Sequence, residues 1–347
     1  MAHQSLYRAY RPQSFDEVVG QEQVTKPLAE AAKAEKIGHA YLFAGTRGLG
    51  KTSVARIFAK EIGCAENDVY EIDAASNNSV EDIRALAEGV YTLPFASPYK
   101  VYILDEVHML SKGAWNAFLK TLEEPPAHAV FILATTELTK VPETVQSRCQ
   151  VFEFKKPTRA VLAKMVAGVA KKEGYALASD AAELVAMLGD GSYRDALSVL
   201  QKVIAGAEGK SISREQVEAA TGAPRREQVN ALISALAAGE RGKALEAIEK
   251  AAKADVDMKL FLELVLEALR STLLIRYAPE LRASLADELG ADEFSSLESY
   301  VGHAMSYINH ATLLAFLNAA DRIRYAPIPA LPLELAVLEL FPDGGGK

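Results

Sequence analysis

The sequence predicts an α/β domain followed by an all-α half. Five short apolar runs alternate with helical patterns before Pro157. The stretch Gly45-Thr46-Arg47-Gly48-Leu49-Gly50-Lys51-Thr52 stands between the first run and the helical run after it. Beyond Pro157 only helical periodicity is read. Strands that alternate with helices imply a five-stranded parallel sheet with helices on both faces. Its crossovers should be right-handed, and a ligand should sit beyond the carboxyl ends of the strands.

The first run, 40–44, leads straight into the glycine-rich stretch, and a helix is predicted over 53–62. The pattern is G-x-x-x-x-G-K-[ST], residue for residue. Wrapping a polyphosphate in backbone N–H groups needs close approach and unusual dihedrals, which glycine permits. The following helix turns its N-terminus to the anion. Lys51 is expected to reach the terminal phosphates and Thr52 to hold Mg²⁺. Ser53 completes the phosphate-binding set.

Residues 5–36 precede that run. Tyr7-Arg8-Ala9-Tyr10-Arg11-Pro12 is basic and aromatic, and a helix is predicted over 22–35 after Val18-Val19-Gly20-Gln21. Such a lead segment either folds over a nucleotide base or forms a surface arm. The second run is 69–73. A polar loop follows, then a helix over 80–88 with Ser79 as its N-cap and Asp82 three residues on. The third run, 101–106, is apolar on both faces, as a central parallel strand should be, and ends in Asp105-Glu106. Asp105 suits a Mg²⁺ partner, and Glu106 suits a general base. After a helix over 113–124 stopped by Pro125-Pro126, the fourth run, 130–134, ends at Thr135-Thr136. A hydroxyl there can meet a γ-phosphate or its water. Ser147-Arg148-Cys149 leads to the fifth run, 150–154.

Three helices, 159–172, 179–188 and 192–205, follow Pro157. Arg194 falls in the first turn of the third, where the helix dipole disfavours a cation. It either awaits an anion from elsewhere or pairs with Asp190 or Asp195 on the surface. Gly222-Ala223-Pro224 marks a second boundary, so the chain divides into 1–157, 158–221 and 222–347. The last block reads as helices over 226–238, 241–254, 258–277 and 311–323, and one from Leu331 with Pro332 in its first turn. Its apolar surplus suits either a bundle core or subunit contacts. The tail, 342–347, is expected to be mobile.

The chain has 347 residues, 38 Lys and Arg against 46 Asp and Glu, and a net charge of −8. That balance excludes a general nucleic-acid coat, so any DNA contact must be local or shared. No apolar run approaches the roughly 20 residues of a membrane span. The N-terminus lacks the apolar core of a signal peptide. With two cysteines, Cys64 and Cys149, a disulfide framework is not expected and a cytoplasmic setting is.

Taken together, these motifs resemble the γ/τ subunits of bacterial DNA polymerase III, the motor of the sliding-clamp loader. The resemblance spans nearly the whole chain. It rests on Tyr-Arg-Pro-Gln at 10–13, Val-Val-Gly-Gln at 18–21, the loop at 45–52 and Glu-Ile-Asp-Ala-Ala-Ser at 71–76. Leu-Asp-Glu-Val-His-Met-Leu at 104–110, Leu-Glu-Glu-Pro-Pro at 122–126, Ser-Arg-Cys at 147–149, Gly-Ser-Tyr-Arg-Asp-Ala-Leu at 191–197 and Leu-Pro-Leu-Glu-Leu-Ala at 331–336 complete it. It implies an AAA+ ATPase core, a three-helix lid and a helical collar, with ATP and Mg²⁺ as ligands. By the same resemblance Arg148 is an arginine finger for the neighbouring subunit, and Arg194 is the lid arginine that contacts phosphate in its own subunit. Thr136 is the sensor at the end of the fourth strand. Arg11, Pro12, Val18 and Val19 lie near adenine, and Leu49 stands where valine is frequent. The implied partners are δ- and δ′-type subunits, copies of the chain itself, the sliding clamp and primed DNA.

Two departures stand out. Family members usually carry a four-cysteine zinc module after the first ATPase helix, and here Cys64 alone remains. One thiol cannot build a tetrahedral site, so no zinc is expected and Cys64 reads as a small buried residue. The loop after the second strand has Asn77, Asn78 and Ser79 where some relatives have basic residues, which leaves amides at the next helix N-terminus and Arg84 as DNA-contact candidates. Two other functions fit parts of the pattern. A non-hydrolysing structural subunit would lack an intact phosphate loop, and another AAA+ DNA motor, such as a branch-migration helicase, would end in a winged-helix domain.

Overall fold

The computed structural model describes residues 4–254, 256–289, 291–301 and 307–341; the tail at 342–347 lies outside them. Five parallel strands form one sheet: β1 (Ala40–Ala44), β2 (Val69–Asp73), β3 (Lys100–Asp105), β4 (Ala129–Thr135) and β5 (Gln150–Glu153). Their order is β2-β3-β4-β1-β5. Ala44 at the end of β1 lies opposite Thr135 of β4 and Glu153 of β5. The glycine-rich loop therefore leaves β1 beside the end of β4, with the end of β3 one strand further on.

The both-face apolar pattern of the central strands has a direct structural cause. Successive side chains point to opposite faces of a sheet. Leu42, Tyr102, Leu104, Phe131 and Leu133 face one way, onto Ile83, Leu86, Trp115 and Phe118. The latter come from the helices Val80–Val90 and Lys112–Glu123. Tyr41, Phe43, Val101, Ile103 and Ile132 face the other way, onto Val24, Leu28, Val54 and Phe58. These belong to the helices Glu22–Lys33 and Lys51–Glu61. Both faces are thus covered, as a parallel sheet requires.

The chain divides into two compact units, one of residues 1–169 with 185–201 and the other of 170–184 with 202–347. In the second, the 20-residue helix Met258–Tyr277 packs on Arg226–Ala238, Ala291–Val301 and His310–Ile323. Phe261, Val265, Leu269 and Phe316 are buried there. Pro332 occupies the first turn of Leu331–Leu340.

The predicted all-α reading beyond Pro157 needs one correction. A two-residue strand pair, β6 (Ala176–Leu177) and β7 (Ser211–Ile212), forms in parallel in the second unit. Two residues carry no readable period, so alternation could not reveal it. Helices at Arg214–Thr221, Arg282–Leu289 and Ala291–Val301 also lie outside the predicted set. The helix after the glycine-rich loop begins at Lys51, earlier than predicted. Glu106, predicted as the last residue of the third strand, lies beyond β3.

Candidate nucleotide site

The loop between β1 and the helix Lys51–Glu61 bends through three left-handed glycines, with φ of +147° at Gly45, +78° at Gly48 and +94° at Gly50. Close approach adds to the demand at Gly48. A Cβ there would lie 2.0 Å from Ser192 Oγ. Tyr193 N–H donates to Gly48 O at 3.1 Å, and Gly45 N–H donates to Thr135 O at 3.2 Å. The loop is thereby tied to the end of β4 on one side and to the start of the helix Tyr193–Ala205 on the other. Leu49 is buried in the core, so only its backbone faces a ligand. Thr46 and Arg47 are exposed and Ser53 is half-buried.

Lys51 is only 6% exposed. Its ammonium donates to Gly45 O at 2.6 Å and Thr46 O at 3.0 Å. Among the described residues no carboxylate lies within ion-pair distance of it. Burial draws its pKa below the ordinary lysine value, while the charges of Glu106 and Asp105 pull the other way. A buried cation whose hydrogen-bond partners are carbonyl oxygens has room for an anion in direct contact, and glycine-rich backbone of the kind that cradles phosphates stands in front of it.

Thr52 and Asp105 are brought together from 53 residues apart, with Thr52 Oγ1 donating to Asp105 Oδ2 at 2.8 Å. Asp105 Oδ1 accepts the Glu106 N–H at 2.9 Å. A hydroxyl and a carboxylate next to a phosphate cradle are hard oxygen donors of the kind Mg²⁺ takes. The residues present fit both a polyphosphate and the cation.

Glu106 takes the left-handed conformation, φ 50° and ψ 42°, which costs a non-glycine residue about 1–2 kcal/mol. The bend carries its carboxylate toward β4, where Thr136 Oγ1 donates to Oε2 at 3.1 Å. Lys51, Thr52, Asp105, Glu106 and Thr136 thus gather at the carboxyl ends of β1, β3 and β4.

The lead segment reaches the same region. Arg11 Nε donates to Ser53 Oγ at 2.9 Å, and burial lowers the Arg11 pKa. Pro12 is half-buried, Val18 packs against the core, and Val19 O accepts the Tyr193 hydroxyl at 2.5 Å. Arg194 is exposed, and its guanidinium lies 5.7 Å from the Tyr7 ring centre. Asp190, one of its two candidate partners on sequence grounds, lies 3.6 Å from Lys156 Nζ instead. Arg148 stands apart from this group. It donates to Thr144 O and Glu123 Oε1, each at 2.6 Å.

Two side chains of the site, His108 and Tyr7, were given no role by sequence reasoning, which also did not separate Thr135 from Thr136. Thr135 and His108 back the ends of β4 and β3, and Tyr7 underlies Arg194. His108 sits inside a quoted motif, but nothing in spacing distinguishes it from a core histidine. The DNA-contact candidates fare differently. Ser79 and Asp82 form a reciprocal capping box, so the Asp82 amide is taken, and Glu81 and Asp82 make that first turn acidic.

Strand order and the glycine-rich loop at the end of β1 together define an α/β module of the AAA+ fold class. The Thermotoga maritima RuvB Holliday junction branch migration motor superposes with a TM-score of 0.53 at 23% identity, over 84% of this chain and 90% of that one. At that identity the likeness speaks for the fold alone. Sequence comparison is more specific. Residues 20–79 and 66–158 match the family described as DNA polymerase III, delta subunit. Residues 212–342 match DNA polymerase III subunits gamma and tau domain III. The chain is 38% identical to DNA polymerase III subunit tau of Bacillus subtilis over 98% of its length. It is 37% identical to the tau subunit of Escherichia coli over 97%, and 44% identical to the gamma/tau subunit of Mycoplasma pneumoniae over 61%. The chain belongs to the DNA polymerase III gamma/tau family. It spans 63%, 55% and 34% of those three relatives' own lengths. No helix among the described residues is long and apolar enough to cross a membrane.

Proposed function

We propose that the chain is an ATP-hydrolysing motor subunit of a clamp loader, working in the cytoplasm. The observation that carries the proposal is the convergence of Lys51, Thr52–Asp105 and Glu106–Thr136 at the end of one sheet. In this reading the loop amides from Gly45 to Gly50 and the Lys51 ammonium hold the triphosphate. Thr52 and Asp105 hold Mg²⁺, which when bound withdraws charge from the phosphates. Glu106 takes a proton from the attacking water as general base, and Thr136 fixes that carboxylate and senses the γ-phosphate. Arg11, Pro12, Val18 and Val19 border the adenine, and Arg194 leaves Tyr7 for phosphate, drawing lid and core together.

Arg148 acts on a neighbouring subunit. Its placement on Glu123 and Thr144, away from the Lys51 group, supports this reading. An arginine finger is worth roughly 10³–10⁵ in rate in other NTPases, so hydrolysis depends on assembly. The regions 1–157, 158–221 and 222–347 serve as ATPase core, lid and collar. The exposed Leu314, Leu317, Leu335 and Leu338 of the last two helices suit subunit contacts through the collar. Partners are δ- and δ′-type subunits and further copies of the chain, and the assembly opens a sliding clamp and loads it on primed DNA. No zinc takes part.

A non-hydrolysing structural subunit would have no use for a strained Glu106 or a Lys51 buried against carbonyl oxygens. Glu106→Gln tests the catalytic reading. ATP affinity should hold within about threefold, and turnover in the assembled complex should fall by roughly 10²–10⁴, the worth of a general base. Wild-type turnover in that variant would remove Glu106 from the chemistry.

A further inference from the structure

We propose that His108 is a positioning residue for hydrolysis, holding one oxygen of the Glu106 carboxylate so that the other faces the water. This rests on the reading of Glu106 as general base. His108 lies in the short 3₁₀ turn Val107–Met109 that follows Glu106, and its side chain is only 8% exposed. Nδ1 is 3.1 Å from Thr135 Oγ1 and 3.4 Å from Glu106 Oε2. Nε2 is 3.6 Å from Glu137 Oε1. The imidazole therefore lies between an acid after β3 and an acid after β4.

The arrangement around it is connected. Thr135 is fully buried, its hydroxyl accepts the Glu137 N–H at 3.0 Å, and its carbonyl accepts the Gly45 N–H of the phosphate loop. Thr136 donates to the same Glu106 oxygen that His108 approaches. Both contacts fall on Oε2. A carboxylate whose Oε2 accepts the Thr136 hydroxyl and lies 3.4 Å from the His108 ring nitrogen keeps the orientation of its other oxygen, and orientation is what a proton transfer needs. His128, half-buried in the turn before β4, contacts a backbone carbonyl instead, that of Val90 at 2.9 Å.

The test uses the full chain in its assembly, with His108→Ala, His108→Gln and His108→Leu. Turnover is measured at saturating ATP, and affinity is measured separately with a fluorescent ATP analogue. Loss of orientation should lower turnover by about tenfold or more in the Ala and Leu variants, with affinity within twofold. The Gln variant, which keeps an N–H donor on a side chain of similar reach, should recover much of the loss. In a Glu106→Gln background, His108→Leu should lower the residual single-turnover rate no further. Equal turnover in the Gln and Leu variants would overturn the proposal, as would an undiminished penalty in the Glu106→Gln background. Early melting of the Ala variant leaves the Gln and Leu comparison decisive, since both fill the space. Full turnover in Glu106→Gln alone would instead strike the reading of Glu106, whatever the His108 variants do.

Discussion

Burying the Lys51 ammonium between two carbonyl oxygens, with no carboxylate in ion-pair reach among the described residues, is destabilising in itself. A residue placed for its ligand often carries such a cost. Lys51→Ala should therefore separate binding from stability. Nucleotide affinity should drop roughly a hundredfold or more, the worth of a charge-assisted contact. The melting midpoint without nucleotide should stay level or rise. Titration with a fluorescent ATP analogue and a thermal melt read the two quantities, and a lower midpoint with unchanged affinity would contradict the assignment. Cys149, beside Arg148, offers a second residue-scale check. Burial pushes its thiol up to about 12, so at pH 8 it is almost wholly protonated, and the thiolate is the reactive form. Cys64 is raised in the same direction by burial. Alkylation of both should be at least about a hundredfold slower in the native chain than in urea. Labelling of Cys149 at the unfolded rate would show that its surroundings open.

At the scale of elements, the helix Val80–Val90 shows how a local signal becomes structure. Ser79 Oγ accepts the Asp82 N–H at 3.1 Å, and the Asp82 carboxylate accepts the Ser79 N–H at 3.1 Å. Ser79→Ala should cost about 1 kcal/mol in a denaturant titration, and no loss would mean that the box is idle. Such caps were legible because they need only residue type and spacing. The sheet was legible for the same reason. Runs such as Val101-Tyr102-Ile103-Leu104 must hide both faces, as a central parallel strand flanked by helices does. Spacing also located the loop at 45–52 and the acids at 105 and 106. It could not show that Glu106 leaves the strand, because a left-handed backbone at a glutamate has no residue signature. Nor could it separate Thr135 from Thr136. Adjacent positions at a strand end turn opposite ways; one hydroxyl meets His108 and the other Glu106. The pair β6 and β7 was missed because two residues have no period.

For the whole molecule, the claim is that one chain grips the triphosphate while Arg148 of the next completes the reaction. The decisive measurement mixes two inactive variants in the assembled complex. Lys51→Ala lacks its own site but keeps a finger, and Arg148→Ala keeps its site but lacks a finger. Each alone should show ATP turnover lowered by roughly 10³-fold. A mixture should regain a substantial fraction of wild-type turnover, since an intact site then sits beside an intact finger. Wild-type turnover by the Arg148→Ala complex alone, or no recovery on mixing two well-assembled variants, would contradict the account.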